Sequence, residues 1–127
     1  MFKGYLPALV WAIIIFYLSG VHSLRIAQNP GWDEVLRSLA HVFFYFVLMI
    51  LILLAPKFGG LKSEKNHLRT AIILGLGYAL FDEFHQSFVP TRGASFLDLG
   101  LDSLGVMIGL LLFKQNGKFY EKIHKNI

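Results

Sequence analysis

Cysteine is absent from the chain, so neither a disulfide framework nor a thiolate zinc site is possible. Charge is scarce: 16% of the 127 residues are Asp, Glu, Lys or Arg, where a soluble domain carries about 25%. A chain so poor in charge has too little polar surface to cover a water-soluble globule of its size. Motifs of familiar chemistry are missing too. There is no H-E-x-x-H, no EF-hand loop and no serine or cysteine nucleophile motif, and Ser19, Ser87, Ser95 and Ser103 sit in ordinary surroundings. No repeat, low-complexity tract or second domain breaks the sequence. The net charge is +4, but the basic residues form no stripe with interleaved aromatics, so nucleic acid is not the expected partner.

Apolar residues dominate instead. They make up 55% of the chain, and the mean hydropathy is +0.57. A membrane-spanning helix needs about 20 mostly apolar residues. Four segments approach that length, at about residues 5–21, 39–55, 70–88 and 96–113. The first reads as an uncleaved helix, its rival being a signal peptide cut near SGVHS. The second is expected to stop at Pro56, since proline cannot continue a helix. The third has only 12 uncharged residues, Thr70–Phe81, about 18 Å of helix. To span a bilayer it must run on through Asp82 and Glu83 to about Phe88. The fourth carries Asp98 and Asp102 within it. Polar connections fall at residues 23–37, 57–69 and 89–95. The expected fold is all-α: one domain over residues 1–127, an integral membrane bundle of four transmembrane helices with the lipid bilayer as its surroundings.

Lysine and arginine set the expected orientation. With four spans, the N-terminus, the 57–69 loop and the C-terminal tail share one side, and nine of the twelve basic residues lie there. Arg25, Arg37 and Arg92 lie on the other side. The positive-inside rule then places both termini in the cytoplasm and makes the chain a multi-pass protein of the cell membrane.

In that orientation the stretch FDEFHQSFVPTRGASFLDLGLD, residues 81–102, faces the outer side. His22, His41, the trio Asp82, Glu83 and His85, and the pair Asp98 and Asp102 all fall at the outer level of their helices. Helical spacing puts Gly75, Tyr78, Asp82 and His85 in one stripe, and Asp98, Asp102, Gly105 and Gly109 in another. His41 and Tyr45 share a face, as do Ser19 and His22. An acid at the centre of a membrane helix costs about 2.5–3.5 kcal/mol, so these groups are expected to turn inward and form a polar pocket at the outer leaflet.

Plainer readings stand beside this one. Ser95-x-x-Asp98 has the form of a capping box. Asp82 and Glu83 lie at the negative end of their helix, where a dipole disfavours acids, so Arg92 and His85 are candidates for a purely structural clasp. Gly105 and Gly109 form a GxxxG pair suited to helix packing. His22, His67 and His124 read as interfacial, and Trp11 and Trp32 as packing or interface aromatics. A divalent metal on His41, Asp82, Glu83, His85, Asp98 and Asp102 is chemically open, although no ligand motif calls for one. Metal and cofactor therefore remain unassigned.

DEFHQSFVPTRGASFLDLGLDSLGVMIG resembles the signature of VanZ-like proteins, small four-helix membrane proteins. That signature runs D-E-x-x-Q, a loop with proline and arginine, then D-x-x-x-N-x-x-G-x-x-x-G. Asp82, Glu83, Gln86, Pro90, Arg92, Asp98, Gly105 and Gly109 occupy its positions, and His41, Tyr45 and Leu48 fit H-x-x-x-Y-x-x-L. Asp102 stands where the family usually has Asn, and Ser38 where it often has Lys, with Arg37 one residue earlier. The family takes its name from a teicoplanin-associated accessory protein of glycopeptide resistance, so the resemblance implies a cell-envelope role without supplying a reaction.

Three functions are open at this point. In the first, His41, Tyr45, Gln86, Arg92, Asp98 and Asp102 bind an envelope component: a lipid-linked cell-wall intermediate, a phospholipid headgroup or a glycopeptide. In the second, Asp82, Glu83 and His85 are catalytic, acting as acid and base on a lipid phosphate or ester while Arg92 holds the anion. In the third, the charges only lock the helices of a partner subunit. Residue pattern does not settle the oligomeric state.

Overall fold

A computed structural model of the chain describes residues 2–19, 30–58, 67–88 and 96–125. After a 3-10 turn at Phe2–Tyr5, the described residues form four helices and no strand: α1 (Leu6–Ser19), α2 (Pro30–Phe58), α3 (His67–Gln86) and α4 (Phe96–Lys125). His22, Pro90, Arg92 and Ser95 lie outside the described residues, so the expected interfacial histidine, loop arginine and capping box do too.

The all-helical architecture matches the expectation, but three boundaries move. The stretch expected as a connection up to residue 37 is already helical from Pro30. A proline suits the first helical position, because its fixed φ is right for a helix and its missing N–H had no helical partner anyway. At the other end, α2 does not stop at Pro56 but continues through it to Phe58. Pro56 deprives only one carbonyl of its usual donor, that of Ile52, four residues back. His67 donates its Nε2–H to that oxygen at 3.0 Å. His67 is accordingly buried, not interfacial as expected. The third change is at α4, which runs on to Lys125 and not to about Phe113. Polar residues end an apolar run, but a helix ends only where breakers or caps end it. α3 closes slightly early at Gln86, where Ser87 Oγ donates to the Phe84 carbonyl at 2.6 Å.

α2 is the centre of the bundle. It packs against every other element, α3 and α4 pack against each other, and α1 touches α2 and α3 but not α4 among the described residues. The core joins Tyr45, Leu48, Met49 and Ile52 of α2 to Ala71 and Ala79 of α3, Val106 and Leu110 of α4, and Ala8 and Ile15 of α1. α1 is fastened by two side chains reaching backbone. Trp11 Nε1 donates to the Phe44 carbonyl of α2 at 2.9 Å, and Tyr78 of α3 donates its hydroxyl proton to the Ala12 carbonyl.

The closest approach is between α2 and α4. A Cβ on Gly105 would run into the Val42 carbonyl oxygen and lie 3.0 Å from Phe46 N. A Cβ on Gly109 would lie 3.0 Å from Met49 Cβ and 3.1 Å from the Phe46 carbonyl oxygen. Without side chains at these two points, the two backbones meet directly.

The outward faces are apolar on all four helices. Leu9 and Ile13 of α1, Leu39 and Phe43 of α2, Ile73 and Phe84 of α3, and Leu104 and Leu111 of α4 are all exposed. Exposed apolar surface on this scale calls for lipid or another apolar covering. Among the described residues, two helices, over Val35–Lys57 and Phe96–Gln115, are long and apolar enough to cross a membrane.

Candidate functional site

α3 carries its polar groups inward. Its buried positions are His67, Ala71, Gly75, Ala79, Asp82, Glu83 and Gln86. Steps of three and four residues along this line keep it on one face. Small residues occupy its middle: a Cβ on Gly75 would already lie 3.3 Å from Val106 of α4 and 3.4 Å from Met49 Sδ of α2. The tight middle draws the C-terminal end of α3 against α2 and α4, and the acids come with it.

This line differs from the expected stripe of Gly75, Tyr78, Asp82 and His85. Gln86, and not His85, lies under the same cover as Asp82. Tyr78 and His85 are half-buried on the flank that meets α1. The His85 ring stacks on Phe16 of α1, with centroids 4.2 Å apart and 23° between the planes. Phe16 also stacks on Phe81.

On α2, His41 and Tyr45 are one turn apart and each holds an acid of a different helix. His41 Nδ1 lies 2.6 Å from Asp102 Oδ1 of α4. Tyr45 donates its hydroxyl to Asp82 Oδ2 of α3 at 3.1 Å. Asp102 is 0% exposed, Tyr45 1% and Asp82 2%. Asp82 and Asp98 also lie within electrostatic reach of His41 and Asp102. Asp98, in the first turn of α4, is half-buried, and Glu83 is buried beside Asp82. Gly105 and Gly109 sit one and two turns below Asp102, at the contact with α2. The His41 side chain is 18% exposed, so the cluster reaches the surface there.

Burial leaves three of these groups incompletely paired. Asp82 Oδ1, Asp102 Oδ2 and Gln86 Nε2 are shut away from solvent and have no hydrogen-bond partner. Leaving a buried polar group unpaired costs about 1–3 kcal/mol, more for a charged one. Native interiors hold few such groups, and each asks for a reason. Among the described residues no three His, Asp or Glu side chains converge into a metal-binding group.

Of the residues picked out by sequence, then, the structure gathers His41, Tyr45, Asp82, Gln86, Asp98 and Asp102 at one end of the α2–α3–α4 contact, with Glu83 beside them. The His85 ring lies against Phe16 of α1. The load that His67 carries was missed. Its signal was present in the sequence: a proline late in an apolar run predicts an orphaned carbonyl four residues earlier and a donor somewhere to meet it.

The VanZ/LLP1 family model matches residues 4–119 of the chain. No curated protein and no solved structure gives a significant match.

Proposed function

The chain belongs to the VanZ/LLP1 family, and on that premise we propose that it is a four-helix membrane protein whose outer-facing polar pocket binds a component of the cell envelope. Both termini are cytoplasmic in this reading, because nine of the twelve basic residues fall on their side. Asp82, Gln86 and Asp102 form the floor of the pocket. His41, Tyr45 and Asp98 shape it, and Glu83 adds charge. Arg92 is assigned to ligand binding by its place in the family signature. A lipid-linked cell-wall intermediate, a phospholipid headgroup and a glycopeptide are the ligand classes that suit this location, and a glycopeptide would connect the chain to antibiotic resistance.

One observation carries the reading. Three buried polar atoms, on Asp82, Gln86 and Asp102, lack partners in a protein whose other faces are apolar. A cluster that served only to hold helices together would gain by pairing them. The test is native mass spectrometry of the purified full chain beside Asp82→Asn and Asp102→Asn. A ligand retained by the parent and lost from both variants, with folding intact, supports the pocket. Identical adduct patterns in all three proteins overturn it.

A structural clasp is the second reading, favoured by the His41–Asp102 and Tyr45–Asp82 contacts, each of which ties two helices. Under it, the same variants lose folded protein in membranes before any ligand signal changes.

A further inference from the structure

The unpaired atoms carry information about what the cluster accepts. α2 supplies one donor to each acid: His41 to Asp102 Oδ1 and Tyr45 to Asp82 Oδ2. The second oxygen of each acid, Asp102 Oδ2 and Asp82 Oδ1, is buried and unpartnered. One turn beyond Asp82 on α3, Gln86 is 1% exposed, and its amide nitrogen has no acceptor. Asp82 and Asp102 thus offer two carboxylate acceptors, from two different helices, and Gln86 one amide donor.

Charge narrows the choice. Asp102 and His41 each interact with both Asp82 and Asp98 across this end of the bundle. An anion brought against the second oxygens of Asp82 and Asp102 would meet repulsion. A metal ion would need several converging ligands, and the described residues offer no such group. A hydroxyl has a single proton to give. A protonated primary amine has three N–H donors and a positive charge, and its bonds to carboxylates are charge-assisted. An oxygen a few bonds from that nitrogen would take the Gln86 N–H.

We propose that Asp82, Asp102 and Gln86 form a recognition site for a primary ammonium group that has an oxygen acceptor close by, as in an ethanolamine headgroup. The inference rests on the reading of this cluster as a ligand pocket and names the ligand's chemistry. Asp82 and Asp102 each give one oxygen to the ammonium, and Gln86 donates to the neighbouring oxygen. His41 and Tyr45 are positioning residues, since each fixes the acid it touches so that the other oxygen stays available. The same group comes from two sources, an aminophospholipid or a small free amino alcohol.

The full chain, reconstituted in nanodiscs that mix phosphatidylethanolamine, phosphatidylcholine and phosphatidylglycerol in equal parts, separates the possibilities by native mass spectrometry of the lipids that stay bound. The choline headgroup keeps the positive charge but has no N–H, and the glycerol headgroup has hydroxyls but no cation. Preferential retention of phosphatidylethanolamine over phosphatidylcholine by about tenfold, the scale of one good hydrogen bond to a charged group, is expected. Asp102→Asn and Asp82→Asn should each abolish that preference, and Gln86→Leu should weaken it. Circular dichroism and a thermal melt establish that each variant is folded. Should either Asp variant fail to fold, Gln86→Leu and competition on the parent protein decide the matter. Free ethanolamine that displaces the lipid, where trimethylated choline does not, identifies a site for the amine itself. Displacement by neither, with the lipid preference intact, identifies the lipid as the source. Retention of phosphatidylglycerol or another anionic lipid in an Asp82-dependent way would overturn the ammonium while sparing the pocket. No lipid or amine dependence on Asp82, Asp102 or Gln86 would overturn both.

Discussion

Replacing the helical glycines one at a time by alanine should produce a graded series whose order is set by what each new methyl meets. Gly77 and Gly100 have nothing within 4 Å of an added Cβ. There alanine gains helix propensity without a clash, worth about 0.5–1 kcal/mol. At Gly75 the methyl would press on the stiff, fully buried Val106 at 3.3 Å and on the flexible end of Met49 at 3.4 Å, so crowding at Val106 offsets the propensity gain. At Gly109 it would press on Met49 Cβ and the Phe46 carbonyl, and at Gly105 on the Val42 carbonyl and the Phe46 amide. Backbone atoms of a packed helix cannot step aside, so α4 must back away from α2. Overpacking costs about 1–3 kcal/mol, and the loosened seam also lengthens the His41–Asp102 contact one turn away. Both substitutions gain the same propensity, so Gly105→Ala should lie about 1–3 kcal/mol below Gly77→Ala. Thermal unfolding in one detergent, followed by circular dichroism, reads the whole series. The reasoning fails if Gly105→Ala melts with Gly77→Ala, because the direct meeting of α2 and α4 would then be wrong.

Three further outcomes follow from single contacts. His67→Ala should cost about 1–3 kcal/mol by leaving the Ile52 carbonyl without a donor, and much less in a Pro56→Ala background, where the restored N–H takes over; equal costs in both backgrounds would show that His67 does not serve this carbonyl. Tyr45→Phe strips Asp82 of its donor and should lower the melting free energy by about 1–3 kcal/mol, whereas Tyr17→Phe, on an exposed face, should change nothing measurable. Because the chain has no cysteine, Lys125→Cys and Phe96→Cys can be labelled in whole cells with an impermeant maleimide: residue 96 should react from outside and residue 125 only after permeabilisation, and the reverse pattern would invert the proposed topology.

Much of this protein was legible one helix at a time. Apolar runs announced four helices, and the two acids of α3 were rightly expected inside its helix, since without them it was too short to matter. The GxxxG pair announced a close contact without naming the helix it would touch. What failed were ends and flanks. Pro56 looked terminal because a missing N–H is visible in sequence, while the histidine that satisfies the freed carbonyl lies across a loop. Lys114 onward looked non-helical only because the membrane-length run had ended. His85 looked inward because it shares spacing with Asp82, yet Gln86 shares that spacing equally well.

Spacing along one chain decides which residues share a face, and composition decides that the faces left outside are apolar. Neither decides how far each helix is turned about its own axis. That rotation was set by the contact of the Gly105 and Gly109 backbone with Val42 and Phe46, and by the packing of Gly75 on Val106 and Met49. Only then did Asp102 fall to His41, Asp82 to Tyr45, and His85 to Phe16. A few tens of degrees of helix rotation move a side chain between lipid, core and neighbour, and the close approach that stops the rotation is a property of three helices together.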